Sequence, residues 1–294
     1  MTEEQLVISF HPEFDGDLFL WDRAVWDRRL PELLKRSKGV ILPQTVEREL
    51  YLLCRRCAPA VFPNYDSRFK GEGKIGDTLL FWELGAPHPA TWIFPRVETM
   101  VGEHPEMGLK VELPPFPLVV KARHGGEGRW TWLIRDAGEL RAAMTRLEEW
   151  EWQGGGRGFV VQEYIPGADR DLRVTVIGEK IFSYWRVNPG SFHHNLAQNG
   201  VVEREADPDL QARGRELVRR FCRQSGINLA GFDLIFPSGA AEPLFLEINY
   251  TFGRGGLGGG EVFRALLREA VADWLATLTT ATASRELDLP LDSA

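Results

Sequence analysis

Two strand-like segments near the C-terminus carry three oxygen-bearing side chains of the kind that holds a metal ion. NLAGFDLIF and PLFLEINY are joined by PSGAAE, which predicts an antiparallel hairpin. Its register places Asp233 opposite Leu246 or Glu247, and the period of two places Glu247 and Asn249 on one strand face. Because neither strand carries lysine or arginine, we expect the three groups to repel one another if left alone. Hard oxygen donors of this kind suit Mg²⁺. The alternative is that Asn249 caps the strand end and the acids lie at the surface.

A second hairpin gathers charge in the same half of the chain. In DLRVTVIGEKIFSYWRV, Gly178 opens a two-residue turn between two alternating runs. That turn places Asp171 opposite Arg186, and Arg173 shares their sheet face. The alternative is a solvated face with ordinary cross-strand charge pairs.

A lysine at the end of an apolar strand is followed directly by a glycine loop. Lys121 ends PLVVK, and the loop reads HGGEG. A lysine in this position can neutralise phosphate while backbone N–H groups hold its oxygens. Because no Gly-Lys-Ser/Thr closes the loop and a strand follows it, this is not a Walker A motif. The alternative is a plain hairpin turn.

Composition narrows the class of protein. The net charge of −7 over 294 residues argues against a nucleic-acid binder. We expect a cytoplasmic protein with no membrane partner, since the N-terminus lacks a basic region and no apolar run reaches the roughly 20 residues that span a bilayer. Cys54 and Cys57 lie at helical spacing among leucines, which favours packed thiols over a redox or metal pair. Homo-oligomerisation is compatible with the sequence.

The elements around these motifs indicate several lobes. The first 65 or so residues mix strands and helices as an α/β lobe does. A polar stretch, NYDSRFKGEGKIGD, interrupts the pattern before the helix TLLFWELG. The Lys121 strand, its loop and a following strand then precede a helix that carries Leu140, Ala143, Met144 and Leu147 on one face.

The order of these motifs resembles the ATP-grasp superfamily, closest to its RimK-like and glutathione-synthetase-like branch. The resemblance rests on Lys121 and its loop, VVQEYIPG, DLR, the Arg186 strand, SFHHN, GFDLIF and FLEIN. GKIGDTLLFWELGAPHPATW is similar to the lysine-bearing segment of that branch. The resemblance covers roughly Asn64 to Trp274.

This resemblance implies an α/β (α+β) ATP-grasp fold in which two α+β lobes sandwich ATP. The expected divisions are a pre-ATP-grasp α/β lobe at 1–73, a central lobe with the glycine loop at 74–165, a C-terminal lobe with the metal site at 166–280, and a flexible tail at 281–294.

It also implies roles for individual residues. The expected ATP contacts are Lys74, Lys121, Gly125, Gly126, Gly128, Gln162, Glu163, Tyr164, Ile165 and Asp171. Lys121, Arg173 and Arg186 would stabilise phosphate and acyl-phosphate oxygens. Mg²⁺, or Mn²⁺, would be held by Asp233, Glu247 and Asn249. We expect substrate contacts from His193, Asn195, Arg254, Gly255 and Gly256.

The activity implied by the resemblance is an ATP-dependent ligase that joins a small-molecule or peptide carboxylate to an amine-type acceptor through an acyl phosphate. Two alternatives stay open: an ATP-grasp phosphotransferase, and a non-catalytic ATP-binding regulatory module. The sequence departs from the RimK-like pattern where His193 and Gln198 stand in place of arginines. That departure argues against an acidic, peptide-like substrate.

Overall fold

The computed structural model describes residues 6–14, 16–20, 28–101, 113–125, 130–166, 170–188, 201–240 and 242–287. Four sequence-predicted site residues lie outside these ranges: Gly126, Gly128, His193 and Asn195.

The N-terminal lobe is built on a short parallel sheet. Its strands are β1 Val7–Ser9, β2 Leu18–Phe19, β3 Gly39–Ile41 and β4 Val61–Phe62, in the order β2-β1-β3-β4. Its helices are α1 Leu30–Lys35 and α2 Arg48–Cys57. Cys54 is buried on the inner face of α2 and both helix cysteines are free thiols, so the prediction of packed cysteines is confirmed.

The polar stretch before the second lobe is largely helical, which the sequence analysis missed. It contains α3 Asp66–Lys70 and the first turn of α4, which spans Gly73–Leu84. Helix α4 packs against the C-terminal lobe, where the ring of Phe81 stacks on Phe245 at 5.2 Å. Helix α4 therefore brings Lys74 to the C-terminal sheet.

The central lobe is a four-stranded antiparallel sheet covered by a helix. Its strands are β5 Thr91–Phe94, β6 Leu118–Ala122, β7 Thr131–Ile134 and β8 Phe159–Glu163, in the order β5-β8-β6-β7. Its helices are α5 Glu98–Val101 and α6 Ala137–Trp152. Asp136 begins α6 by accepting hydrogen bonds from the N–H groups of Gly138 and Glu139, as an N-cap does. The two predicted strands on either side of the glycine loop, β6 and β7, are confirmed.

The C-terminal lobe holds a five-stranded antiparallel sheet. Its strands are β9 Arg170–Ile177, β10 Lys180–Val187, β11 Val201–Glu203, β12 Leu229–Ile235 and β13 Leu244–Asn249, in the order β11-β10-β9-β12-β13. It also contains α7 Pro208–Ser225, a 3₁₀ turn at Gly255–Leu257, and α8 Gly260–Leu287. Residues 281–287 belong to α8, so this part of the expected flexible tail is helical.

Both predicted hairpin registers are confirmed. Asp171 lies opposite Arg186, and Gly178 in the intervening turn has a φ of +61°. Asp233 lies opposite Glu247, and a bulge follows Asp233. The charged side chains of both hairpins therefore share one face of the large sheet.

The N-terminal and C-terminal lobes share an apolar core, whereas the central lobe has a separate one. The N-terminal lobe shares one core with α8, β9 and β12, through side chains such as Phe263 and Ile177. The central lobe has a core of its own around Phe159 and Leu147. None of the helices within the described ranges combines the length and apolar character that crossing a membrane requires.

Candidate active site

A cleft opens where α4 and the glycine loop of the central lobe face the end of β13. Its lining consists of Gly73, Lys74, Asp77, Arg123, His124, Gly125, Glu247, Ile248 and Asn249. Both sides of the cleft therefore carry charged groups that the sequence analysis had assigned to different lobes.

Lys74 spans this cleft. Its Nζ donates to the carbonyl of Gly125 at 3.1 Å and lies 3.6 Å from Oε2 of Glu247. Gly73, immediately before it, has a φ of +64° and sits against the carbonyl of Arg123, where a Cβ would come within 2.1 Å. That position needs glycine, and the glycine lets the first turn of α4 sit directly against the loop.

Lys121 is buried beneath the loop. Its Nζ donates to Oε1 of Gln162 at 2.7 Å, and Gln162 in turn donates to Oγ1 of Thr91 at 3.0 Å. Burial lowers the pKa of Lys121 to about 8, although the negative charge of Glu247 opposes that shift. A buried ammonium with one neutral partner gains most from an anionic ligand.

Two buried arginine–aspartate pairs lie side by side on the large sheet. Nε and Nη2 of Arg186 donate to the two oxygens of Asp171 at 2.7 and 2.6 Å. Arg173 makes the same two-point contact with Asp233, and Nη2 of Arg186 also lies 3.0 Å from Oδ2 of Asp233. The predicted shared face is therefore a network of charge pairs, and these fork-like pairs fix the direction of both guanidinium groups.

The three oxygen-bearing side chains do come together, but not in isolation. Nδ2 of Asn249 donates to Oδ2 of Asp233 at 3.1 Å and to Oε1 of Glu247 at 3.0 Å. Asp233 is not left alone, because β9 supplies Arg173 and β10 supplies Arg186 as its partners. Burial by itself would raise the pKa of Asp233, but the two arginines outweigh it and hold that pKa below its ordinary value.

A glycine in the GFD motif makes room for this network. A Cβ on Gly231 would come 3.1 Å from Nη1 of Arg173 and 3.3 Å from Cβ of Phe252. A side chain at Gly231 would therefore press on the guanidinium that holds Asp233.

A profile of the RimK-like ATP-grasp domain matches residues 104–258, more than half of the chain. The chain belongs to the RimK-like ATP-grasp family. The predicted family is thereby confirmed.

Two curated proteins match about half of this RimK-like chain. Glutamate–LysW ligase ArgX of Sulfurisphaera tokodaii is 33% identical over 145 residues, which cover 46% of this chain and 48% of that protein. Carnosine synthase 1 of Gallus gallus is 24% identical over 154 residues, which cover 47% of this chain and 16% of that protein. The chain thus spans about half the length of the first relative and less of the second.

Solved structures show the ATP-grasp fold. A RimK domain protein from Sphaerobacter thermophilus aligns with a TM-score of 0.55 and 18% identity, covering 80% of this chain and 81% of that one. D-alanine–D-alanine ligase from Bacillus anthracis, solved with ATP, aligns with a TM-score of 0.59 and 16% identity, covering 90% and 87%. The predicted fold class is confirmed.

The segment predicted to hold adenine leaves the central sheet at the C-terminal end of β8, an inner strand. The N–H of Glu163 donates to the carbonyl of Ala90 at 2.8 Å, and Tyr164 and Ile165 follow as the chain runs toward β9. Contact of Gln162, Glu163, Tyr164 and Ile165 with adenine stays a prediction, as does contact of Asp171 with ribose.

The glycine-rich segment after β13 is a packed turn. A Cβ on Gly256 would lie 2.0 Å from Cζ of Tyr184, and the carbonyls of Gly255 and Gly256 face the guanidinium of Arg204 at 3.5 and 3.2 Å. The guanidinium of Arg254 lies 4.4 Å from the ring centre of Phe263. Packing thus accounts for Gly256, and the substrate role of Arg254, Gly255 and Gly256 stays a prediction.

Five residues of the cleft wall were not assigned a role from the sequence: Gly73, Asp77, Arg123, His124 and Ile248. His124 was seen only as part of the loop motif, and Asp77 was overlooked. Asp77 follows Lys74 by three residues, which places both on one face once the helix is known to begin at Gly73. The misassigned start of α4 hid that signal.

Proposed function

We propose that this protein is an ATP-dependent ligase that joins a carboxylate to an amine or a related nucleophile. The observation that carries the proposal is a continuous network of charged and polar side chains across the cleft. It runs through Arg186, Asp171, Arg173, Asp233, Asn249, Glu247 and Lys74. Phosphate transfer demands positioning and charge neutralisation of this kind and little covalent chemistry from the protein.

The first step forms an acyl phosphate. A carboxylate oxygen of the substrate attacks the γ-phosphorus of ATP, the bond from that phosphorus to the β,γ-bridging oxygen breaks, and ADP leaves. In the second step the amine attacks the acyl carbon, the bond from that carbon to the phosphate oxygen breaks, and the departing phosphate takes up the proton. The products are an amide, ADP and inorganic phosphate.

The chain's own residues divide these tasks by position. Lys74 on α4 and Lys121 on β6 would neutralise the ATP phosphates. Arg173 and Arg186 each donate hydrogen bonds from Nε and Nη2 to an aspartate. The remaining Nη1 group of each arginine is the donor that we assign to a transferred phosphate or acyl phosphate.

The donor set at the end of β13 fits a divalent cation. Glu247 keeps 29% of its side chain exposed toward the cleft, and Asn249 and Asp233 lie beside it. Both oxygens of Asp233 already accept from arginines, so Glu247 is the principal ligand we assign. Mg²⁺ or Mn²⁺ bound there would neutralise phosphate oxygens when ATP is present.

Two comparisons support the proposal. The Bacillus anthracis ligase of similar fold was solved with ATP, and the Sulfurisphaera relative is a glutamate–LysW ligase by name. The departure at His193 and Gln198 still separates this chain from RimK-like proteins that act on acidic peptides, so its acid and amine are to be found by screening.

The test of the metal assignment compares two acidic residues of one hairpin. We expect ATP to raise the melting temperature only when Mg²⁺ is present, and Glu247→Ala to abolish that dependence. Glu242→Ala is the matched control, because Glu242 is an exposed acid in the loop between β12 and β13. ATP stabilisation that is equally metal-dependent in Glu247→Ala would refute the assignment.

ADP release in a screen of acids and amines tests the reaction itself. A ligase requires both co-substrates for rapid ADP release and forms an amide. A phosphorylated acid that accumulates in the presence of amines, with no amide formed, would identify a phosphotransferase. ATP binding with no release under any pair would identify a regulatory module.

A further inference from the structure

Asp77 is a buried carboxylate in the cleft wall that the proposed reaction does not use. It is 7% exposed, and its Oδ2 accepts a hydrogen bond from the N–H of Ile248 at 3.1 Å. Ile248 stands between Glu247 and Asn249, so Asp77 holds the backbone from which both of these side chains project.

This contact exists because β13 is the edge strand of its sheet. One side of β13 pairs with β12, and helix α4 with the segment after it covers the other side. Along that covered edge the N–H of Phe245 donates to the carbonyl of Pro87 at 2.8 Å, and the N–H of Ile248 donates to Asp77. An edge strand's free N–H groups need such partners when they are buried.

The same turn of α4 carries Lys74, three residues earlier. Lys74 reaches Gly125 in the glycine loop and lies 3.6 Å from Glu247. One helical turn therefore touches the loop, the carboxylate of Glu247 and the backbone directly behind that carboxylate.

Burying a carboxylate in order to accept one backbone hydrogen bond carries a large desolvation penalty. Burial raises the pKa of Asp77 to about 7, and the negative charge of Glu247 adds to that shift. A neutral acceptor would satisfy the same N–H with a smaller desolvation penalty. The hydrogen bond from Ile248 and the positive charges of Lys74 and Lys121 lower that pKa and so offset part of the penalty.

We propose that Asp77 is a positioning residue. Its hydrogen bond with Ile248 locks β13 to α4 and so holds Glu247, Asn249 and Lys74 around the same phosphate group. The inference rests on the proposed nucleotide site and adds a residue to it. Loss of the lock should weaken metal-dependent ATP binding more than it weakens folding.

Three variants separate positioning from simple packing. Asp77→Ala removes the acceptor, whereas Asp77→Asn keeps an oxygen that can accept from Ile248. Leu80→Ala loosens the packing of α4 without touching the hydrogen bond, because Leu80 belongs to the apolar core beneath the sheet. It is the matched control for general destabilisation.

The readout is the Mg²⁺ concentration that gives half-maximal ATP binding, measured by calorimetry beside the urea midpoint of each variant. We expect Asp77→Ala to raise that concentration about tenfold, Asp77→Asn to stay within about threefold of wild type, and Leu80→Ala to lower only the urea midpoint. An unchanged Mg²⁺ requirement in Asp77→Ala, or an equal rise in Leu80→Ala, would overturn the proposal.

Amide exchange of Ile248 in the wild type gives a second test that needs neither nucleotide nor a folded alanine variant. Slow exchange of this edge amide supports the lock, and exchange as fast as that of an exposed loop overturns it. Failure of the wild-type protein to bind ATP with Mg²⁺ would refute the proposed function instead, and the exchange rate would still decide whether Asp77 holds the strand.

Discussion

The charged residues of the site hold one another in place before any ligand arrives. Asp171 and Asp233 each engage a guanidinium through two oxygens, and all four partners of these pairs are nearly inaccessible to water. Such pairs contribute little net stability compared with apolar packing, but each depends strongly on its partner. Their value here is that they fix the direction of both guanidinium groups.

Breaking one pair should therefore be costly. Asp171→Ala removes the two-point partner of Arg186 and leaves that buried guanidinium with its single contact to Asp233, so we expect a loss of about 3 kcal/mol in the free energy of unfolding. Urea denaturation measures it. The control is Glu216→Ala, which breaks an exposed pair with Arg219 and should cost about 0–1 kcal/mol. Equal costs for the two variants would contradict the anchoring role of Asp171.

At the scale of elements, local pattern predicted the two hairpins well. A period of two and a glycine turn were enough to place Asp171 opposite Arg186 and Asp233 opposite Glu247. The start of α4 was missed because Gly73 and its polar neighbours carry none of the apolar spacing that signals a helix. Its first turn is held by contacts with Arg123 and Gly125, which lie about 50 residues away in the sequence.

The packing of the glycine-rich turn could not be predicted for a similar reason. Six glycines lie between Gly253 and Gly260, but the need for Gly256 arises from the ring of Tyr184, about 70 residues earlier. The amides of Leu257, Gly258 and Gly259 already donate within the turn. Only the folded chain brings Tyr184 and Gly256 together, so no local reading identifies the contact.

This contact makes adjacent glycines unequal. Gly256→Ala would push a methyl group into the ring of Tyr184, and overpacking of this kind costs about 1–3 kcal/mol. Gly255→Ala meets nothing within 4 Å and should leave stability almost unchanged. Thermal unfolding of both variants checks this, and Gly256→Ala should cost much less in a Tyr184→Ala background than in the wild type. Similar melting temperatures for the two glycine variants would show that the turn is not packed as described.

At the scale of the whole molecule, the N-terminal lobe and the large sheet form one apolar unit. Phe252, Phe263 and Leu267 pack in the same core as Ile8 and Val40. We therefore expect residues 1–73 to unfold together with the C-terminal lobe, whereas the central lobe has a core of its own. The division at residue 73 therefore separates two lobes along the sequence, but it does not mark off a unit that we expect to unfold on its own.

His11 gives this joint unit a pH signature. It is 9% exposed, and its Nδ1 accepts a hydrogen bond from the N–H of Glu13 at 3.1 Å, which requires that this nitrogen carry no proton. Burial lowers the pKa of His11 to about 4 from 6.5, although Glu13 opposes the shift. Between these values the unfolded chain binds more protons than the folded one, so stability falls as the pH drops from 6.5 toward 4.

Removing the imidazole should flatten that dependence. We expect His11→Gln to lose up to about 3 kcal/mol of the stability change between pH 7 and 4 that the wild type shows in urea titrations. Phe14→Leu is the matched control, because Phe14 packs on His11 at 4.9 Å without titrating, and it should keep the wild-type slope. Hydrogen exchange should register the acid effect in β3 and α8 together, since both border the shared core. Loss of protection in β3 alone would show that the two lobes unfold separately.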